Sequence, residues 1–179
     1  ALQVAAQTPE RFANLVVCEG TLTNGAALPP ADQVLRVLRP CGGVVDISAF
    51  NRILSEGKGR ALVSIMAANN ETGAIQPLAD IIAIAKAQGA LVHSDAVQSA
   101  GKLLIGFNNL GLDDMTISAH KLGGPQGIGA LVARQGAPLS RQIAGGGQEF
   151  GRRAGTENIA AIAGFGAAAH AATQDLASW

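Results

Sequence analysis

The chain has 179 residues, 48% of them hydrophobic and 15% charged, with 13 basic and 13 acidic side chains in formal balance. That length suits one domain with a real core, and a balanced, charge-poor sequence argues against nucleic acid or an anionic membrane surface as partner. The low charge fits either a buried α/β core or a piece whose surface is covered by something further.

No apolar run free of charge and glycine is long enough to span a membrane, and no basic, leucine-rich leader is visible at the N-terminus. Two cysteines, Cys18 and Cys41, are too few for a disulfide scaffold or a Cys-based metal site, so a reducing, cytoplasmic setting is expected. Cys18 reads as a small buried hydrophobe and Cys41 as part of a turn. The 23 glycines exceed the usual share of about 7%.

In chain order, Asn14–Cys18 reads as a short buried strand. Residues 19–32, rich in Gly, Asn, Thr and Pro, read as a loop, and Val34–Leu38 as a second strand ended by Arg39-Pro40. Residues 46–55 have helical spacing with Asp46 as N-cap. Residues 61–67 (ALVSIMA) are the continuous apolar run of a strand covered on both faces. A polar loop follows at 69–73, then an amphipathic helix over 77–88 with Pro77 at its start and Gly89 past its end. Residues 90–93 and 114–118 are further strands, 129–134 another, and 157–172 a long Ala-rich helix. Strand and helix alternate, which predicts an α/β fold: a mostly parallel sheet with helices on both faces.

In such sheets ligands sit beyond the carboxyl ends of the strands. Three strands end in polar loops: 69–73, 95–98 and 118–121. One of only four lysines, Lys121, follows a strand and precedes Gly123-Gly124-Pro125. A lysine that forms an imine must lose its proton, which burial or a neighbouring positive charge such as His120 favours. Asp95 suits either a helix N-cap or a partner for the pyridinium nitrogen of pyridoxal phosphate, kept protonated by a carboxylate. Gln98 shares a face with Asp95 if a helix starts there. Ser118 and His120, alternate residues of an extended segment, point the same way toward one phosphate. His93 reads as packed and His170 as solvent-facing. Residues 145–158 (GGGQEFGRRAGTEN) resemble an anion-binding loop before a helix N-terminus, without the lysine pattern of a P-loop.

Four segments together, VSIMAANNETGAIQPLADI (63–81), HSDAVQSAGK (93–102), SAHKLGGPQGIGALVAR (118–134) and GGGQEFGRRAGTENIAAIAGFG (145–166), resemble the NifS/IscS-type cysteine desulfurases. That family lies in the class V aminotransferase group of fold-type I pyridoxal-phosphate enzymes. The resemblance runs from about Val44 to Gly166. It implies that Lys121 is the Schiff-base lysine, Asp95 the partner of the ring nitrogen and Gln98 the donor to the ring oxygen. By the same resemblance Asn70 lies beside cofactor and substrate, and Ser118 and His120 are phosphate ligands. Thr156 then reaches the phosphate of the neighbouring subunit's cofactor in a homodimer.

The implied reaction converts L-cysteine to L-alanine and passes sulfur through an enzyme persulfide to an iron–sulfur scaffold or another acceptor. Members of the family are longer. They carry upstream a Gly-Thr/Ser phosphate loop and a ring-stacking histidine, and downstream a small domain with the persulfide cysteine and a substrate arginine. None of these is found here, and Cys18 and Cys41 match neither role. Residues 1–179 are therefore expected to be part of the large domain, without the family's N-terminal segment and C-terminal small domain, and inactive alone. Phe150 stands where the family usually has arginine. The alternatives are a selenocysteine lyase, aminotransferase or kynureninase of the same group, or a non-catalytic degenerate paralogue; NNETG with RRAGTEN favours the desulfurase.

Overall fold

The computed structural model describes strands at 14–18 and 34–38 by their backbone, then residues 43–178 apart from positions 58 and 142. The loop expected over 19–32 and the surroundings of Cys18 and Cys41 lie outside the described residues.

Six strands form one mixed sheet in the order β2-β1-β3-β4-β5-β6: β1 Asn14–Cys18, β2 Val34–Leu38, β3 Ala61–Met66, β4 Leu91–Asp95, β5 Asp114–Ser118 and β6 Gly129–Ala133. β1 to β5 run parallel, and β6 pairs antiparallel with β5. The expected mostly parallel sheet is observed. β6 closes one edge, with Gly129, Ala130 and Leu131 exposed, and among the described residues it pairs only with β5.

Helix α1, Ile47–Ser55, starts as predicted: the Asp46 carboxylate accepts from the Ala49 N–H at 2.9 Å, satisfying a donor the first turn leaves open. Helix α2, Leu78–Ala87, follows Pro77 and stops before Gly89, whose φ of +71° ends it. A one-turn helix α3, Phe107–Leu110, was not expected from the sequence. Helix α4, Ile159–Ser178, begins two residues later and ends six later than its predicted 157–172. The Asn158 carboxamide oxygen accepts from Ala161 N–H and sets its start.

The odd-numbered residues of β3, Val63 and Ile65, meet Val92 and Ser94 of β4 in register. With Phe50, Leu54, Leu78, Ile81, Ile82, Ala85 and Met115 they form the main core under α1 and α2. Burying a ring the size of Phe50 contributes about 1.5–3 kcal/mol. The opposite face of the sheet carries Ser64, His93 and Asp114 in one row, then Met66, Asp95 and Thr116 in the next. Core and candidate site therefore lie on opposite faces of the same strands.

Ser94 sits in the core row between Ile65 and Met115. It is 0% exposed, and its hydroxyl has no hydrogen-bond partner among the described residues. A buried unsatisfied hydroxyl costs stability, so Ser94→Ala is expected to stabilise the fold by about 1 kcal/mol. The check is a urea-unfolding midpoint; a midpoint that falls in the variant contradicts the reading.

Candidate functional site

Asp95 is the last residue of β4, in register with Met66 and Thr116. Backbone hydrogen bonds from Ala67 N–H to Asp95 C=O (2.8 Å) and from Ala96 N–H to Thr116 C=O (3.0 Å) fix three adjacent strand ends together. The carboxylate Oδ1 accepts from Val97 N–H at 2.9 Å, so Asp95 does cap the following turn. Its Oδ2 has no partner among the described residues and remains able to meet a ligand cation. Residues 96–103 form hydrogen-bonded turns rather than a regular helix, with Gln98 half-buried in them.

β5 ends at Ser118 and tightens into a 3-10 turn, Ala119–Lys121. The segment is not extended through His120 as predicted, yet the two side chains meet: Ser118 Oγ lies 2.7 Å from His120 Nδ1. The 3-10 turn swings His120 back toward Ser118, so hydroxyl and imidazole converge as a pair. Lys121 closes this turn and is exposed. Ala119 C=O, which accepts from both Leu122 and Gly124 N–H, sets the backbone beneath it.

Asn70 is exposed at the tip of the third loop. Its neighbour Asn69 orders that loop: Asn69 Oδ1 accepts from Glu71 and Thr72 N–H, each at 2.8 Å. The Ala68–Ile75 bridge closes the base. Thr156 is exposed in the segment before α4 and makes no hydrogen bond to the other candidate residues. In its loop, Gly155 N–H donates to Gln148 Oε1 at 3.2 Å. Glu149 and Phe150 there have positive φ, 51° and 55°, and Phe150 is 98% exposed.

The groups at these strand ends are a carboxylate, a primary amine, a hydroxyl–imidazole pair and a side-chain amide. That set suits a cofactor with a basic ring nitrogen, an aldehyde and a phosphate, and pyridoxal phosphate has those three groups.

The sequence pattern of the family described as aminotransferase class-V matches residues 34–177. The chain belongs to that family. Among its relatives, a cysteine desulfurase from Klebsiella pneumoniae is 40% identical over 174 residues, which is 97% of this chain and 42% of the relative. One from Gluconacetobacter diazotrophicus is 49% identical over 134 residues, 75% of this chain and 33% of the relative. In three dimensions, a NifS-like protein from Rickettsia africae ESF-5 superposes with a TM-score of 0.86 at 34% identity, covering 99% of this chain and 50% of that one. The chain thus spans half or less of the length of these relatives. The class-V match also starts at residue 34, upstream of Val44 where the resemblance becomes legible by eye.

Sequence reasoning overlooked three residues of this class-V chain. Asp113, 1% exposed, is an acid buried at the other end of β5. Its Oδ2 accepts from Val92 N–H at 2.7 Å and pairs with Lys86, and its Oδ1 accepts from Arg134 Nη2 at 2.7 Å. Burial pushes its carboxyl up, but the bonds from Lys86, Val92 and Arg134 and the Lys86 charge outweigh that and hold it below its ordinary value. Gln76, 4% exposed, accepts from Val45 N–H at 2.9 Å and donates to Gly43 C=O at 2.6 Å. Lys102, the last residue of the matched segment 93–102, donates to two main-chain carbonyls. His93 is buried, as expected, and its Nδ1 pairs with Asp114; His170 is exposed. No helix among the described residues is long and apolar enough to cross a membrane.

Proposed function

We propose that this chain forms the cofactor-holding part of a pyridoxal-phosphate-dependent cysteine desulfurase. The observation that carries the reading is the placement of Asp95 at the end of β4 and of the Ser118–His120 pair and Lys121 at the end of the adjacent β5. The naming of its relatives as cysteine desulfurases supports the choice within class V.

In this reading Asp95 keeps a proton on the ring nitrogen, and Gln98 donates to the ring oxygen. Ser118 and His120 donate to the phosphate, which they share with Thr156 of a neighbouring copy in a homodimer. Asn70 orients the substrate from the loop that Asn69 orders. Lys121 Nζ would hold the cofactor through its aldehyde, and the same amine would serve as the base for the Cα proton of L-cysteine. When bound, the cofactor supplies an electron sink for the charge left at Cα. Sulfur then leaves for an iron–sulfur scaffold or another acceptor in the cytoplasm through a thiol other than Cys18 or Cys41, since both precede the matched segments whereas the persulfide cysteine of the family follows them. The chain alone is therefore expected to hold cofactor without releasing sulfide from L-cysteine.

The test uses the chain's four lysines. Pyridoxal phosphate is added, the visible absorption band recorded, the adduct fixed with borohydride and the modified lysine found by peptide mass. The label is expected on Lys121, and both band and label are expected to vanish in Lys121→Ala. A label on Lys58, Lys86 or Lys102, or no band at all, overturns the reading.

A further inference from the structure

The turns after Asp95 end at Gly101-Lys102. The Lys102 ammonium donates to the Gln98 carbonyl and to the Lys121 carbonyl, each at 3.2 Å. One side chain thereby joins the backbone of the β4 loop to the backbone of the β5 loop, 19 residues further along the chain. The Lys121 carbonyl is one of the acceptors that the end of a short helical turn leaves without an intrahelical donor, and a cation there is favourable.

A second, independent feature brings the two loops together. Gly101 has φ +70°, and a Cβ built on it would lie 2.4 Å from Leu122 Cδ2 and 2.9 Å from Ala172 Cβ. Only a glycine lets this segment lie flush against the residue following Lys121 and against α4.

We propose that Lys102 is a positioning residue: it sets the spacing between the loop that carries Asp95 and Gln98 and the loop that carries Lys121. This rests on the reading of those residues as cofactor contacts. Lys102 touches no reacting atom. Its two bonds fix where the Lys121 main chain sits relative to the carboxylate and amide that face the ring, and rigid support of this kind is what holds a constellation in productive geometry. The other described lysine, Lys86, is committed to Asp113 at the opposite end of the sheet, so it does not substitute.

The experiment compares Lys102→Met, which keeps the apolar stem and removes the donors, with Lys102→Arg, which keeps donors, in the full chain. Hydrogen exchange is followed in peptides covering 119–124 and, as a reference for general stability, in α2. Lys102→Met is expected to speed exchange at 119–124 about tenfold with α2 unchanged, the effect of losing one net charge-assisted hydrogen bond. Lys102→Arg is expected to restore protection. Loss of the visible band on dilution from free cofactor is expected to be about tenfold faster in the Met variant and near parental in the Arg variant. Unchanged exchange at 119–124, equal acceleration in α2, or an Arg variant that behaves like Met overturns the proposal. Failure of the cofactor reading shows separately, as borohydride labelling of a lysine other than Lys121 in the parent chain while the exchange result stands.

Discussion

Asp113→Ala is expected to lower the free energy of unfolding by about 3 kcal/mol at neutral pH, the lower end of the range for breaking a buried ion pair. Asp113 is itself buried, and its removal leaves Val92 N–H without its acceptor and both cations without their acid. The lower end applies because Lys86 and Arg134 are 34% and 55% exposed, so water relieves part of the loss. The effect has a pH signature. The folded-state carboxyl of Asp113 is held below its ordinary value, so the native state binds its proton less readily than the unfolded chain. The stability it contributes is complete above the unfolded carboxylate range and is lost as pH falls through the folded value. Urea unfolding of parent and variant is expected to differ most at pH 7 and to converge as the solution is acidified below the carboxylate range. A gap independent of acidification contradicts the ionic origin.

Gly129→Ala is expected to destabilise by about 1–3 kcal/mol, the usual cost of forcing an extra carbon against atoms that cannot give way, although the residue is otherwise exposed. A Cβ there would lie 2.8 Å from the Ile117 carbonyl oxygen, which is backbone and has no rotamer to change. Gly129 stands opposite Ser118 in the β5–β6 ladder, so the strain falls on the strand end that delivers Ser118, His120 and Lys121. The variant is therefore expected to lose cofactor affinity beyond what its stability predicts, measured as the pyridoxal phosphate dissociation constant at a temperature where parent and variant are both folded. Affinity equal to the parent's would show that β5 absorbs the strain without moving the site.

Much of this architecture was legible because the strands are apolar runs closed by polar residues. ALVSIM, LVHSD and DMTIS sit where hydrophobic continuity and the following loop chemistry put them. The direction of β6 was not legible from GALVA itself, since an apolar run looks alike in either direction. The signal was in the connection: the residues between Ser118 and Gly129 are too few for a parallel crossover, which needs about a dozen or more. Asp113 escaped notice because its partners come from positions 86, 92 and 134, and beside Asp114 it reads as an ordinary polar strand start. Asn69 and Asn70 are chemically identical, so sequence alone does not reveal that Asn69 builds the loop while Asn70 is presented at its tip. The likeness to a family marked Lys102 only as part of a string; its bonds to two distant carbonyls exist only once the loops are folded together.

The β6 edge, which among the described residues pairs only with β5, has a consequence for handling residues 1–179. Gly129, Ala130 and Leu131 of β6 are exposed to solvent, with neither lysine nor proline among its five residues. An uncharged strand with free amide and carbonyl groups is a template for another strand. In a molecule with zero formal charge, long-range repulsion offers little defence. Colloidal behaviour is thus governed by a few residues remote from the chemistry: precipitation should rise steeply with concentration and ease when the solution is moved away from neutrality, and a single charged side chain at position 131 is the natural gatekeeper.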